Sequence, residues 1–230
     1  MAALVVLSAA ICAVAQDGRA GKQNAREQVS KATVSSGEVA EPVTYSYEFK
    51  KAEFFIRRVL IQHDTNGKGN VTFERQGDIE PIVEPLELSE SARERIKALW
   101  SVLRFLDSST DYQSERQYPH LGTMWLRMTN GSRSRVAELN WTNDPNARAL
   151  IEEYRRVANQ IIFIFDIGVS RENQPLNSPK LLDLLDRYVT SKQLSDPQQL
   201  IPLLRELSTD ERLPLMSRNK AGRILKRIEN

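Results

Sequence analysis

The sequence predicts an α+β fold: a four-stranded antiparallel sheet made of two hairpins, two helices on one face, and a C-terminal extension of three HEAT-like helices. Three observations carry this. Short runs alternate apolar and polar residues with a period of two, two longer stretches repeat every 3.6 residues, and the last third is rich in Leu with helix-start signals. The order is strand-strand-helix, twice, and the economical packing lays both apolar helix faces on one side of the sheet.

The first segment, Met1 to Ala15, reads MAALVVLSAAICAVA. It has no charged side chain and ends on Ala13-Val14-Ala15, a small-residue cleavage pattern, so 1–15 is expected to be a signal peptide. A run this short cannot span a bilayer, which takes about 20 residues. Residues 16–44 hold no aromatic residue and no apolar period, and are expected to be a disordered linker. The ββαββα domain is then expected over 45–175 and the helical extension over 176–230.

Phe55, Val59 and Ile61 alternate with Ile56, Arg58 and Leu60, and Asn70–Arg75 alternates again beyond Gly67-Lys68-Gly69. That pattern is a hairpin. Pro81 and Pro85 keep the next segment extended. Ser89 caps a helix that places Ile96, Leu99, Trp100, Leu103 and Leu106 on one face. A polar loop follows from Ser108 to His120. Thr123–Thr129 and Arg133–Trp141 flank Asn130-Gly131, the strongest two-residue hairpin signal. Asp144-Pro145 opens a second helix, with Ala147, Leu150, Ile151, Tyr154, Ala158, Ile161, Ile162 and Phe165 on its apolar face. Ser178-Pro179 and Asp196-Pro197 repeat that start, and Ser208-x-x-Glu211 reads as the capping box of a last helix. Short helices with short connections resemble part of a HEAT-type solenoid.

Composition narrows the function. The 230 residues hold 32 Lys+Arg against 30 Asp+Glu, a net charge of +2, too small to argue for nucleic acid. The one cysteine, Cys12, lies in the signal segment, which excludes a disulfide scaffold and a thiolate metal cluster. His63 and His120 are the two histidines, and no H-E-x-x-H, G-x-S-x-G, G-x-G-x-x-G or Walker pattern occurs. No cofactor is expected. Asp64, Asn66 and Gly69 fit an EF-hand loop, but Lys68 and Arg75 stand where calcium needs oxygen ligands, so this stretch reads as a hairpin turn and no metal site is assigned.

Two features remain. The polar loop carries Asp111, Tyr112, Glu115, Tyr118 and His120, candidates for ligand binding because long loops on rigid scaffolds often hold such residues. The C-terminal tip carries Arg218, Lys220, Arg223, Lys226 and Arg227 against Glu229, a candidate partner-binding surface. The C-terminal helices are expected to cover the sheet domain and leave this tip free. Asp166, inside an apolar run, is expected to pair with a cation such as Arg171.

The stretches Ile61-Gln62-His63-Asp64, Tyr118-Pro119-His120-Leu121-Gly122-Thr123 and Arg171-Glu172-Asn173-Gln174-Pro175 resemble an uncharacterised family of exported bacterial proteins, a domain of unknown function. The resemblance implies export and an α+β core; it implies no activity and no catalytic residues. The leading expectation is a non-catalytic periplasmic or secreted protein acting through an unknown protein or cell-envelope component, with no nucleic acid partner and no transmembrane segment once the signal is removed. A small-ligand-binding module using the 108–120 loop is the alternative, and a hydrolase using Asp or Glu with His120 is a third. Processing is directly testable. The exported form should begin at Gln16 on N-terminal sequencing, and an intact Met1 on cytoplasmic protein would refute the signal.

Overall fold

Tyr45, Tyr47 and Phe49 alternate with Ser46 and Glu48, and this run forms the strand on which the whole sheet is assembled. In the computed structural model, which describes residues 43–230, the sheet has six strands rather than the four expected. They are β1 Thr44–Lys50, β2 Ile56–Asp64, β3 Lys68–Arg75, β4 Ile82–Glu87, β5 Thr123–Asn130 and β6 Arg133–Leu139. The order is β4-β3-β2-β1-β5-β6, antiparallel throughout. The expected signal peptide, and the linker apart from Val43 and Thr44, lie outside the described residues.

Both expected hairpins are present, as β2–β3 and β5–β6, but they do not pair with each other. β1 lies between them, with Tyr47 opposite Ile61 on one side and Leu126 on the other. A strand paired to residues some 80 positions away leaves no local turn signal, so its alternation alone announces it. β4 carries Pro85, which lacks an N–H and is therefore tolerated at an edge.

Inward-facing Tyr45, Tyr47, Val59, Ile61, Val71, Phe73 and Leu126 are buried against α1 Glu90–Leu103 and α2 Pro145–Asn173. The outward face is polar. There Arg58 bridges Glu48 at 2.7 Å and Glu74 at 2.9 Å, and the Trp125 indole N–H donates to Glu138 at 3.0 Å. One dry and one wet face explain the period-two pattern.

Local signals place the helix starts. The Ser89 hydroxyl accepts from the Ala92 N–H at 3.2 Å, and the Asp144 carboxylate accepts from Asn146 and Ala147 at 2.9 and 2.8 Å. The expected face of α1 ran to Leu106, but the helix stops at Leu103 because Arg104 turns left-handed, at φ 45° and ψ 45°.

The C-terminal region departs from expectation in two ways. Its helices α3 Ser178–Thr190, α4 Ile201–Thr209 and α5 Leu215–Glu229 do not cover the sheet. Leu182, Leu185, Leu204, Leu207, Ala221 and Ile224 instead form a second core with Phe163 and Ile167 from the far half of α2. The capping box is also not made: the Ser208 hydroxyl donates back to the Arg205 carbonyl at 2.7 Å, and α5 starts only after Pro214. The described residues form one compact unit, so the extension is not a separate body. No helix among them is long and apolar enough to cross a membrane.

Left-handed backbone costs a non-glycine residue about 1–2 kcal/mol, and glycine is the usual residue at this point of a helix end. Arg104→Gly should therefore raise stability by about 1 kcal/mol in urea denaturation. An unchanged or lower midpoint would show that the Arg104 side chain holds the turn.

Candidate functional site

The loop residues expected to bind a ligand do not converge. Tyr112 is a core residue, its ring stacked 5.9 Å from Phe105 and its hydroxyl directed at the Leu103 carbonyl. The Asp111 carboxylate accepts from the Gln113 N–H at 2.9 Å and so shapes its own turn. Glu115 is exposed. Tyr118 and His120 do lie together, ring centroids 6.0 Å apart, and Tyr118 also meets Trp141 at 5.5 Å. Among the described residues, no carboxylate hydrogen-bonds to or ion-pairs with His120.

His63 lies elsewhere, inside the core. Its Nε2 is 2.9 Å from the Tyr154 hydroxyl, which accepts from the Trp100 indole N–H at 2.9 Å, and its Nδ1 is 2.8 Å from the Asp64 carbonyl. These partners suit a neutral imidazole that donates from Nδ1 and accepts at Nε2. Burial pushes its pKa down, and burial pushes the Tyr154 hydroxyl far above the usual tyrosine range. The neighbouring EF-hand-like stretch is the β2–β3 turn. Asp64 accepts from the N–H groups of Asn66 and Lys68 at 2.8 and 2.9 Å, Gly67 is left-handed, and a Cβ at Gly69 would collide with the Gln62 carbonyl. No three His, Cys, Asp or Glu residues among those described gather closely enough to hold a metal ion.

Asp166 pairs with Arg75 of β3 at 2.5 Å rather than with Arg171. Arg171 instead reaches Glu206 and Asp210, both at 3.1 Å. The basic tip is partly spent on the fold: Lys220 pairs with Asp183 and Arg227 with Asp186, both on α3. Arg223 and Lys226 are exposed, and Arg218 is half-buried.

A concavity lies on the side of α2 away from these residues. Tyr154 stacks on Tyr47 of β1 at 5.4 Å and Phe165 meets Phe73 of β3 at 5.5 Å, so α2 crosses the strands obliquely. α1 packs along one flank of it, with Trp100 5.5 Å from Tyr45. Among the described residues no helix takes the opposite flank. Strands of 7 to 9 residues extend about 25 Å at ~3.3 Å per residue, and a helix is about 10 Å wide, so beside the two helices runs a strip that no third helix among the described residues crosses, though Tyr47, Val59 and Met124 within it are buried. The strip is a groove of about 1160 Å³. Its floor is Tyr47, Phe49, Val59 and Met124, and its helical wall is Ile151, Arg155, Ala158 and Ile162. The β1–β2 loop overhangs it with Phe54 and Phe55, 43% and 65% exposed, large aromatic areas for a loop to leave in water.

Four cations line the groove: Arg148, Arg155, Arg156 and Lys192. Arg156 is held by Glu153 at 3.0 Å. The others have no carboxylate within ion-pair distance among the described residues. Arg148 lies over the Trp141 ring at 5.5 Å and donates to the Thr142 carbonyl at 3.1 Å. Arg155 has the Met124 sulfur 3.4 Å away and sits beside Tyr47, where it partly opposes the upward shift that burial imposes on that hydroxyl. The sequence reading missed this site. Its signal was the placing of Arg148 and Arg155 seven residues apart on the face of Ile151, Ala158 and Ile162, with exposed Phe54-Phe55 elsewhere.

No protein-family profile matches the chain, and no curated protein matches it.

The core histidine gives a pH test. Its folded pKa lies below its ordinary 6.5, so as pH falls past ~6.5 the unfolded chain takes up a proton that the folded chain refuses. Its contribution is complete above that value and is lost on acidification below it. Stability should fall more steeply between pH 7 and pH 5 in the parent than in His63→Gln, measured by urea denaturation. Parallel profiles would show that the imidazole titrates normally in the fold.

Proposed function

We propose that this chain is a non-catalytic binding protein that holds an apolar or amphipathic small ligand in the groove between α2 and the sheet, and that it works after export. The observation that carries the reading is the groove beside α2, where half-buried Phe49 lies over the buried Tyr47, Val59 and Met124 and beneath the exposed Phe54-Phe55 overhang. Ligand sites are typically concave and mostly apolar, with few polar groups. The uncharged Met1–Ala15 segment with its Ala13-Val14-Ala15 end supports export. This relocates the ligand-binding alternative from the 108–120 loop, of which Leu121 just beyond it reaches the groove. Contact with a protein through the basic tip is less favoured, because Lys220 and Arg227 already have carboxylate partners.

The test is equilibrium titration with a neutral apolar fluorophore such as N-phenyl-1-naphthylamine. One saturable site is expected, weakened about tenfold by the double variant Phe54→Ser/Phe55→Ser, the effect of losing ~1.4 kcal/mol of apolar cover. Both side chains are solvent-exposed, so circular dichroism should show an intact fold. Absence of saturable binding, or binding indifferent to the overhang, would remove the groove as the working site.

A further inference from the structure

The charge of the groove narrows the chemistry of what it holds. We infer that its ligand is a single-chain anionic amphiphile taken up as a monomer, with the apolar chain between Phe49 and the Phe54-Phe55 overhang and the acidic head against Arg155. This rests on the groove being a binding site, as proposed above.

Two physical facts support it. The first is charge. A guanidinium over an apolar floor draws few compensating interactions, and Arg155 has a thioether and a phenol beside it where a carboxylate would be expected. Glu153, on the same helix two residues earlier, shows the contrast. That carboxylate is buried and is satisfied three ways, by Arg95 at 2.8 Å, Arg156 at 3.0 Å and the Ser195 hydroxyl at 2.6 Å. The fold therefore neutralises charge behind α2 and leaves it unneutralised in front. Arg148 and Arg155 are two turns apart, about 10 Å along the helix axis. Lys192, on the turn after α3, adds a third positive charge at the rim. Glu53 and Glu152 also line the groove, but Glu53 is paired with Lys51 at 3.0 Å and Glu152 lies 4.0 Å from Arg156.

The second fact is the scarcity of free hydrogen-bonding groups on the floor, which favours an alkyl chain over a peptide. The groove opens on the face of the sheet, where the backbone is already paired between β2, β1 and β5. Of its three side-chain amides two are engaged, Asn140 accepting from the Tyr118 N–H at 2.9 Å and Asn159 donating to the Gln193 carbonyl at 3.1 Å, while the third, Gln193, is exposed. A peptide laid there would leave its own N–H and C=O groups without partners, whereas an alkyl chain asks for none.

The experiment displaces the neutral fluorophore from the full chain with three ligands of one chain length, kept below micelle formation. These are dodecanoate, 1-dodecanol and dodecyltrimethylammonium. At low salt dodecanoate should compete about tenfold better than dodecanol, and the cation worst. The preference should shrink in 0.5 M salt, as an exposed ionic contact must. The acid-to-alcohol ratio should collapse towards one in Arg155→Gln and persist in Arg155→Lys. Equal competition by acid and alcohol would overturn the anionic assignment while leaving the groove a binding site; failure of the fluorophore to bind at all would overturn the site itself. A vesicle arm separates the sources of such a head group. No co-sedimentation is expected with phosphatidylglycerol–phosphatidylcholine vesicles, and co-sedimentation lost in Arg155→Gln would assign the groove to membrane lipid and overturn monomer uptake.

Discussion

The structure depends on α2, because this one helix supplies apolar residues to both cores. At 29 residues it is about 43 Å long at 1.5 Å per residue, longer than the sheet domain needs. Its first half lies on the sheet through Leu150, Tyr154 and Val157, and its second half supplies Phe163 and Ile167 to the C-terminal helices. Two cores that share a rigid rod cannot loosen independently. The C-terminal helices are thus held to the sheet domain through α2 more than through their own contacts with it.

Polar groups on α2 reinforce this. Tyr154 joins Trp100 of α1 and His63 of β2 in one hydrogen-bonded chain, and the adjacent Glu153 ties α1 to the turn before α4. Such groups are tolerated in a core because each is satisfied; breaking one partner of a buried ion pair costs about 3–5 kcal/mol. The groove follows the opposite rule. Arg148, Arg155 and Lys192 are exposed there with no carboxylate partner among the described residues, so they contribute little to stability and remain available to a ligand. On one helix, pairing distinguishes residues that hold the fold from those that equip the site.

The local grammar of the chain was legible in the sequence. Asn130-Gly131, Ser89 and Asp144-Pro145 act through bonds within a few residues, so each start or turn follows from nearby atoms. What was misread is what local rules do not reach. β1 takes its partners from β2 and from a strand some 80 residues on, and the β4 segment, expected to be extended, gave no sign that it pairs at the sheet edge. Arg104, a poor residue for a left-handed turn, ended α1 without the glycine that usually marks it. The Ser208 box failed because Pro214 set a later helix start.

For the candidate site the division is sharper. Tyr112 and His63 are the residue types that populate binding sites, yet both are enclosed, because aromatic rings with one polar atom also serve as core pieces with a single hydrogen bond to satisfy. Arg155 is one of several charges on an amphipathic helix, and nothing in its neighbouring residues singles it out. By itself the sequence determined the α+β class, the two hairpins, the starts of α1 and α2 and most of their apolar faces, all consequences of backbone geometry and period. Only the tertiary structure decided that β1 unites the hairpins, that α2 serves two cores, and that a groove runs along one flank of α2. Those depend on which distant faces meet, and the energy of burying a face is nearly blind to the order in which its residues are written.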